Sequence, residues 1–156
     1  MKKNEGRNMN RLKDLLTNEF LITGLASWFV AQLLKTVIHL IIYKKMDVQR
    51  LYGDGGMPSS HSATVSALAT ICGLRLGFGS VEFAISTILA VIVCRDAMGV
   101  RQETGKQARV INELLRFLES GHDANLKELV GHTPLQVWAG IFMGIFSALL
   151  IFQVLF

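Results

Sequence analysis

Four apolar runs dominate this chain, at 20–43, 62–78, 81–94 and 135–156. The first carries one formal charge, Lys35; the second carries only Arg75; the last carries none. A helix needs about 20 apolar residues to cross the hydrocarbon of a bilayer. The first and last runs meet that length outright. The third is short and begins beside Glu82, so it draws on 77–80 to reach across. Backbone polar groups in lipid must be satisfied within the chain, which leaves helices for segments of this pattern. The expectation is an all-α integral membrane bundle of about four transmembrane helices. Composition agrees: 51% of residues are hydrophobic and 18% charged, against about 25% charged in a soluble domain. That excess of apolar surface excludes a soluble globular enzyme and a disordered chain alike.

The polar segments organise the rest. Residues 1–19 form a basic tail, and 20–156 read as a single membrane domain. A signal peptide is a poor fit, because the first run is too long for its apolar core and no small-residue cleavage site follows. With four spans, the loops 44–61 and 95–134 fall at the same end of the bundle, where their polar residues meet. Lysine and arginine are more numerous there than at the other end, which favours a cytoplasmic placement of both loops. Within 95–134, Val110, Ile111, Leu114, Leu115 and Leu118 recur at helical spacing among Arg109, Glu113, Arg116 and Glu119. That pattern predicts an amphipathic helix lying at the membrane interface, ended near Ser120 and Gly121. The net charge of +4 is mild; with the basic residues beside apolar runs it suits membrane lipids as partners and not nucleic acid. Cys72 and Cys94 sit inside apolar runs, as small buried hydrophobes do.

Several polar residues stand out against this background. Lys35 shares a helix face with Gln32 and His39 in mid-span. An ammonium there either snorkels or pairs, or it lines a polar pocket facing an anion. In GDGGMPSSHSATVSAL, residues 53–68, Gly55 and Gly56 give a flexible turn, Pro58 sets the helix entry, and Ser59 or Ser60 caps the helix. Free N–H groups at a helix start suit phosphate. His61 in that first turn could protonate a leaving oxygen, though a plain capped helix also fits. GHTPLQVWAG, residues 131–140, places His132 just before a helix that Pro134 helps to start. CRDAMGVR, residues 94–101, sets Arg95, Asp96 and Arg101 at a membrane boundary. Gly140 and Gly144 form a small-residue pair, as do Gly73 and Gly77. Close helix packing is the first reading of both, and Gly140 and Gly144 could also join two copies of the chain. His61, His122 and His132 have no metal-ligand spacing, so no metal or other cofactor is assigned.

Taken together, GGMPSSHSA, DAMGVRQETGKQA and GHTPLQVWAG resemble the PAP2 superfamily of lipid phosphatases, acid phosphatases and vanadium haloperoxidases, and more closely its divergent branch of small membrane proteins. The resemblance covers roughly 25–140. It implies a PAP2-like helical bundle in which 100–131 is an amphipathic insertion. Pro58-Ser59-Ser60-His61 matches the superfamily's Pro-Ser-Gly-His motif with Ser60 in place of Gly. Lys35 matches the Lys of another motif, but no Arg-Pro follows it. The third motif is split: Arg101 stands where a His belongs, His132 lies beyond the insertion, and Gln136 takes the place of the orienting Asp.

The resemblance implies a metal-independent phosphatase in a bacterial cytoplasmic membrane, acting on a lipid phosphate or prenyl diphosphate. His132 would form a phosphohistidine and His61 would protonate the leaving group. Lys35, Ser59, Ser60 and Arg95 or Arg101 would hold the phosphate oxygens, with Asp96, Gln136, Gly55 and Gly56 in support. The alternative is a catalytically silent relative that binds lipid phosphate or serves a structural role.

Overall fold

A computed structural model describes residues 10–44, 56–118, 126–128 and 130–155. Five helices follow a short helical stretch at 10–16: α1 (Glu19–Tyr43), α2 (Ser60–Leu76), α3 (Val81–Met98), α4 (Val100–Phe117) and α5 (Pro134–Leu155). There is no strand among the described residues. Local signals place the ends. Asn18 Oδ1 accepts from the N–H groups of Phe20 and Leu21 at 3.0 and 3.1 Å, closing the start of α1. Ser80 Oγ accepts from Phe83 N–H at 3.2 Å and caps α3. Residues 77–80 are therefore a turn and do not lengthen the third run. The added length comes at the other end, where α3 runs on to Met98.

Among the described residues, three helices are long and apolar enough to cross a membrane: Glu19–Ile42, Pro134–Val154, and the segment Val81–Phe117 that begins with α3. That is one fewer than the four expected by the same measure. The second apolar run forms α2, a helix of 17 residues, SHSATVSALATICGLRL, in which Ser, Ala and Thr recur. It lies in the middle of the bundle with α1, α3 and α5 packed around it, so its sides need not match lipid. Small buried groups line its contacts: Ala63, Ala67, Ser62 and Ser66 on α2, and Thr23 and Ser27 on α1. Large apolar side chains point the other way, as Phe29, Ile41, Ile85, Ile92, Phe142 and Phe146 are exposed. Small or polar inside and apolar outside is the arrangement of a protein whose solvent is hydrocarbon. The chain is an integral membrane protein with an all-α bundle.

The direction of each helix follows from its contacts. Arg75 near the end of α2 donates to Glu19 Oε2 at 2.8 Å, and its guanidinium lies 5.8 Å from the Phe152 ring centre late in α5. At the other end Ser59 N–H donates to Gln136 O at 3.0 Å, and His132 N–H to Ala97 O at 3.0 Å. The starts of α2 and α5 and the end of α3 therefore share one end of the bundle, where the two polar loops meet as expected.

Gly140 and Gly144 bring α5 onto α2. A Cβ on Gly140 would overlap Ser59 O, and one on Gly144 would overlap Ala63 O. Their close-packing surface is thus occupied inside the chain. Both cysteines are free and buried.

Candidate functional site

At the polar end, α4 leaves α3 at Gly99 and packs one face against the returning residues 126–128 and 130–132. Gly105 permits this, since a Cβ there would stand 2.5 Å from Glu128 O and 3.0 Å from Val130 O. Asn112 clamps the segment: its Nδ2 donates to Leu126 O at 2.9 Å and its Oδ1 accepts from Leu126 N–H at 3.0 Å. Gly131, at φ +87°, passes so close to α4 that a Cβ would lie 2.6 Å from Gln102 N; a side chain is excluded by both conformation and space. The other face of α4, with Val110, Ile111, Leu114, Phe117 and Leu118, is exposed. The expected amphipathic helix is there, but its packed face also walls a site. Replacing Asn112 with Ala should lower the melting temperature, by a loss of about 1–3 kcal/mol, because both backbone groups of Leu126 lose their partner. A calorimetric melt of the detergent-solubilised protein checks this.

His132 is delivered by this segment to the threshold of α5 and is buried, 5% exposed. The sequence Thr133-Pro134-Leu135-Gln136 is a capping box. Gln136 N–H donates to Thr133 Oγ1 at 3.4 Å, and Gln136 Oε1 accepts from Thr133 N–H at 3.0 Å. The same Oε1 lies 3.3 Å from His132 Nδ1. Because the Thr133 N–H needs an acceptor, the amide is oriented with its oxygen there, so His132 Nδ1 is the protonated ring nitrogen and Nε2 the basic one.

A cavity of about 400 Å³ opens beside His132. It is walled by Thr133 and Gln136, by Gly56, by Glu128, Val130 and Gly131, and by Gln102, Gly105, Lys106 and Arg109 of α4. A second, narrow crevice meets the first at His132 and Gly131 and holds His61, Asp96 and Arg101. Arg101 Nε donates to Asp96 Oδ2 at 2.6 Å, so that carboxylate is directed to the arginine, and Gln136 is the residue on His132 Nδ1.

The structure thus gathers His132, Gln136 and Gly56 at the cavity, and His61, Asp96 and Arg101 at the crevice. Four candidates lie elsewhere. Ser59 Oγ caps α2 by accepting from Ser62 N–H at 3.4 Å and Ser62 Oγ at 3.0 Å, and Ser60 is buried beside it. Arg95 is exposed on α3 and lines neither opening. Lys35 is buried, and its chain runs beneath Gly56, where a Cβ would meet Lys35 Cγ at 3.2 Å. Gly55, like Ser120, Gly121 and His122, lies outside the described residues. Among the described residues, no three His, Cys, Asp or Glu side chains form a set able to hold a metal ion.

Sequence reasoning missed Gln102, Lys106, Arg109, Glu128 and Thr133. The 102, 106 and 109 positions share one helix stripe, and Thr-Pro-x-Gln was a legible capping box. The 19-residue separation of Arg109 and Glu128 carried no such signal.

Glu128 Oε1 accepts from Asn112 Nδ2 at 2.9 Å, and Oε2 lies 3.4 Å from Arg109 Nε. The Asn112 hydrogen bond first, then Arg109 and the charge of Arg116, hold its carboxyl below the ordinary 4.5 against the opposing push of partial burial. A depressed native value means the stabilising contribution is complete above the ordinary value and is lost as pH falls through the native one. Melting temperature should therefore drop on acidification below the ordinary value, and Glu128→Gln should flatten that part of the profile.

Two similarities to known proteins bear on this site. A family model described as "Divergent PAP2 family" matches residues 16–147. The "Uncharacterized membrane protein YuiD" of Bacillus subtilis (strain 168) is 42% identical over 152 residues, covering 88% of this chain and 96% of that one. No solved structure matches the chain.

Proposed function

This chain belongs to the divergent PAP2 family, and on that footing we propose that it hydrolyses a phosphate ester or diphosphate borne by a membrane lipid, through a phosphohistidine on His132. The observation that carries the reading is the imidazole of His132, fixed through Nδ1 by Gln136 at the junction of the cavity and the crevice. With Nδ1 protonated, Nε2 is the nitrogen able to attack phosphorus. The P–N bond forms as the bond to the leaving oxygen breaks, and His61, as imidazolium in the shared crevice, gives that oxygen its proton. His61, now neutral, takes a proton from water, whose oxygen attacks phosphorus and releases His132 and inorganic phosphate. Charge on the equatorial oxygens meets Arg101, whose terminal nitrogens extend beyond the Nε held by Asp96. The bilayer setting and the site's position at one end of the spanning helices support a lipid-borne substrate.

One observation favours a second reading, binding of a lipid phosphate without turnover. Gln136, the side chain on His132 Nδ1, is an uncharged amide, and Asp96 is engaged by Arg101, so Gln136 orients the ring without adding the negative charge that supports a nucleophilic histidine.

Phosphate release separates the two. The detergent-purified protein, in chelator, is offered phosphatidate, lysophosphatidate, phosphatidylglycerophosphate and prenyl diphosphates. Turnover with an acid-labile, base-stable phosphoprotein supports the phosphatase. Binding of these lipids with no release on any of them moves the function to the second reading.

A further inference from the structure

The cavity beside His132, at about 400 Å³, falls in the range of pockets for small organic ligands, about 300–1,000 Å³. One phosphate group leaves most of it empty. Its α4 wall carries two cations on one stripe, Lys106 and Arg109, with Gln102 a turn earlier. Each is held by a carboxylate in an exposed ion pair: Lys106 Nζ to Glu103 Oε1 at 2.7 Å, and Arg109 Nε to Glu128 Oε2 at 3.4 Å. Pairs so exposed are weak and readily exchanged. A phosphate offers more acceptor oxygens and more charge than either carboxylate, and a guanidinium can bind it through two parallel N–H groups. Among the described residues, Glu128 is the one acidic side chain in the cavity wall. Its other oxygen is bonded to Asn112 Nδ2 at 2.9 Å, so it keeps a partner when Arg109 turns to a ligand.

We infer that Lys106 and Arg109 form a second anion subsite in the cavity that His132 lines, which selects a ligand with two linked phosphate groups over one with a single phosphate. The inference rests on reading that cavity as a phosphate site. His132 takes the phosphoryl group to be transferred, and the α4 cations hold the other, which leaves as a phosphate still attached to its carrier.

Titration calorimetry on the full-length, detergent-purified protein tests this with inorganic phosphate and pyrophosphate. The wild type should bind pyrophosphate at least about tenfold more tightly. Lys106→Gln and Arg109→Gln should each weaken pyrophosphate about tenfold while leaving phosphate within about twofold. Glu128→Gln, which removes the competing charge and retains an acceptor for Asn112, should tighten pyrophosphate. An opposite sign for this variant excludes a general loss of folding as the cause of the other effects. Equal weakening of both anions, or no change in either, overturns the second subsite while the phosphate reading stands. A wild type that binds neither anion overturns both. A farnesyl diphosphate arm identifies the source: tighter binding than pyrophosphate supports a lipid-borne diphosphate, and equal binding supports the subsite with a free one.

Discussion

His132→Ala abolishes phosphate release, by roughly 10³-fold or more, with the bundle still folded. The substitution removes Nε2, the atom proposed to bond phosphorus, and among the described residues no other histidine shares the Gln136 contact. The scaffold keeps its own support: His132 N–H still reaches Ala97 O, and Gln136 Oε1 still accepts from Thr133 N–H. Stability should fall by only about 1 kcal/mol. Equal release by wild type and variant would take His132 out of the mechanism. The partner variant Gln136→Glu is more informative still. Glutamate also completes a capping box, so α5 keeps its start while His132 gains an anion on Nδ1. A phosphatase limited by weak basicity should then turn over faster and show its acidic limb shifted upward, because a neighbouring carboxylate raises the pKa of the imidazole that must be neutral to attack. A change in binding alone, with no turnover in either protein, would favour the second reading.

Gly144→Val should unfold the protein or cost about 3 kcal/mol or more, at the upper end of overpacking effects. The added carbons would enter the space of the Ala63 carbonyl and Cα. That backbone cannot retreat, because α2 is enclosed by α1, α3 and α5. Gly79 is the matched control: nothing lies within 4 Å of a Cβ there, so Gly79→Ala should leave the melt unchanged to within about 0.5 kcal/mol. Denaturation of the micelle-bound protein, followed by helical circular dichroism, reads both. Were Gly144 instead the joint between two copies, the variant would dissociate a dimer and leave the monomer's melt intact.

Much of this was legible locally. The length and purity of the apolar runs fixed a helical membrane protein, since lipid offers no partner for an open backbone. The start of α2 was marked locally, since Ser59 caps it through hydrogen bonds that span three residues, and Pro134 opens α5. The motifs around His61 and His132 named the two histidines that the fold sets in one crevice. The missed features share a cause. The third run's reach was misjudged because Ser80 turns the chain where apolarity alone suggested continuation, and α2, counted with the other spans, is shorter and richer in Ser, Ala and Thr than they are.

The sequence by itself therefore determined the class and the helices, because each depends on near neighbours and on the transfer of side chains into hydrocarbon. Only the tertiary structure decided which of the candidate residues meet. Ser59 and Ser60 went to the α2 start beneath α5, and Arg101 went to Asp96. Gln136 came to orient His132, and α4 became a wall bearing Lys106 and Arg109. Those outcomes hang on close approaches such as Gly105 to Glu128 and Gly131 to Gln102. Such contacts join segments far apart in the chain, and they form only where the absence of a Cβ lets two backbones touch.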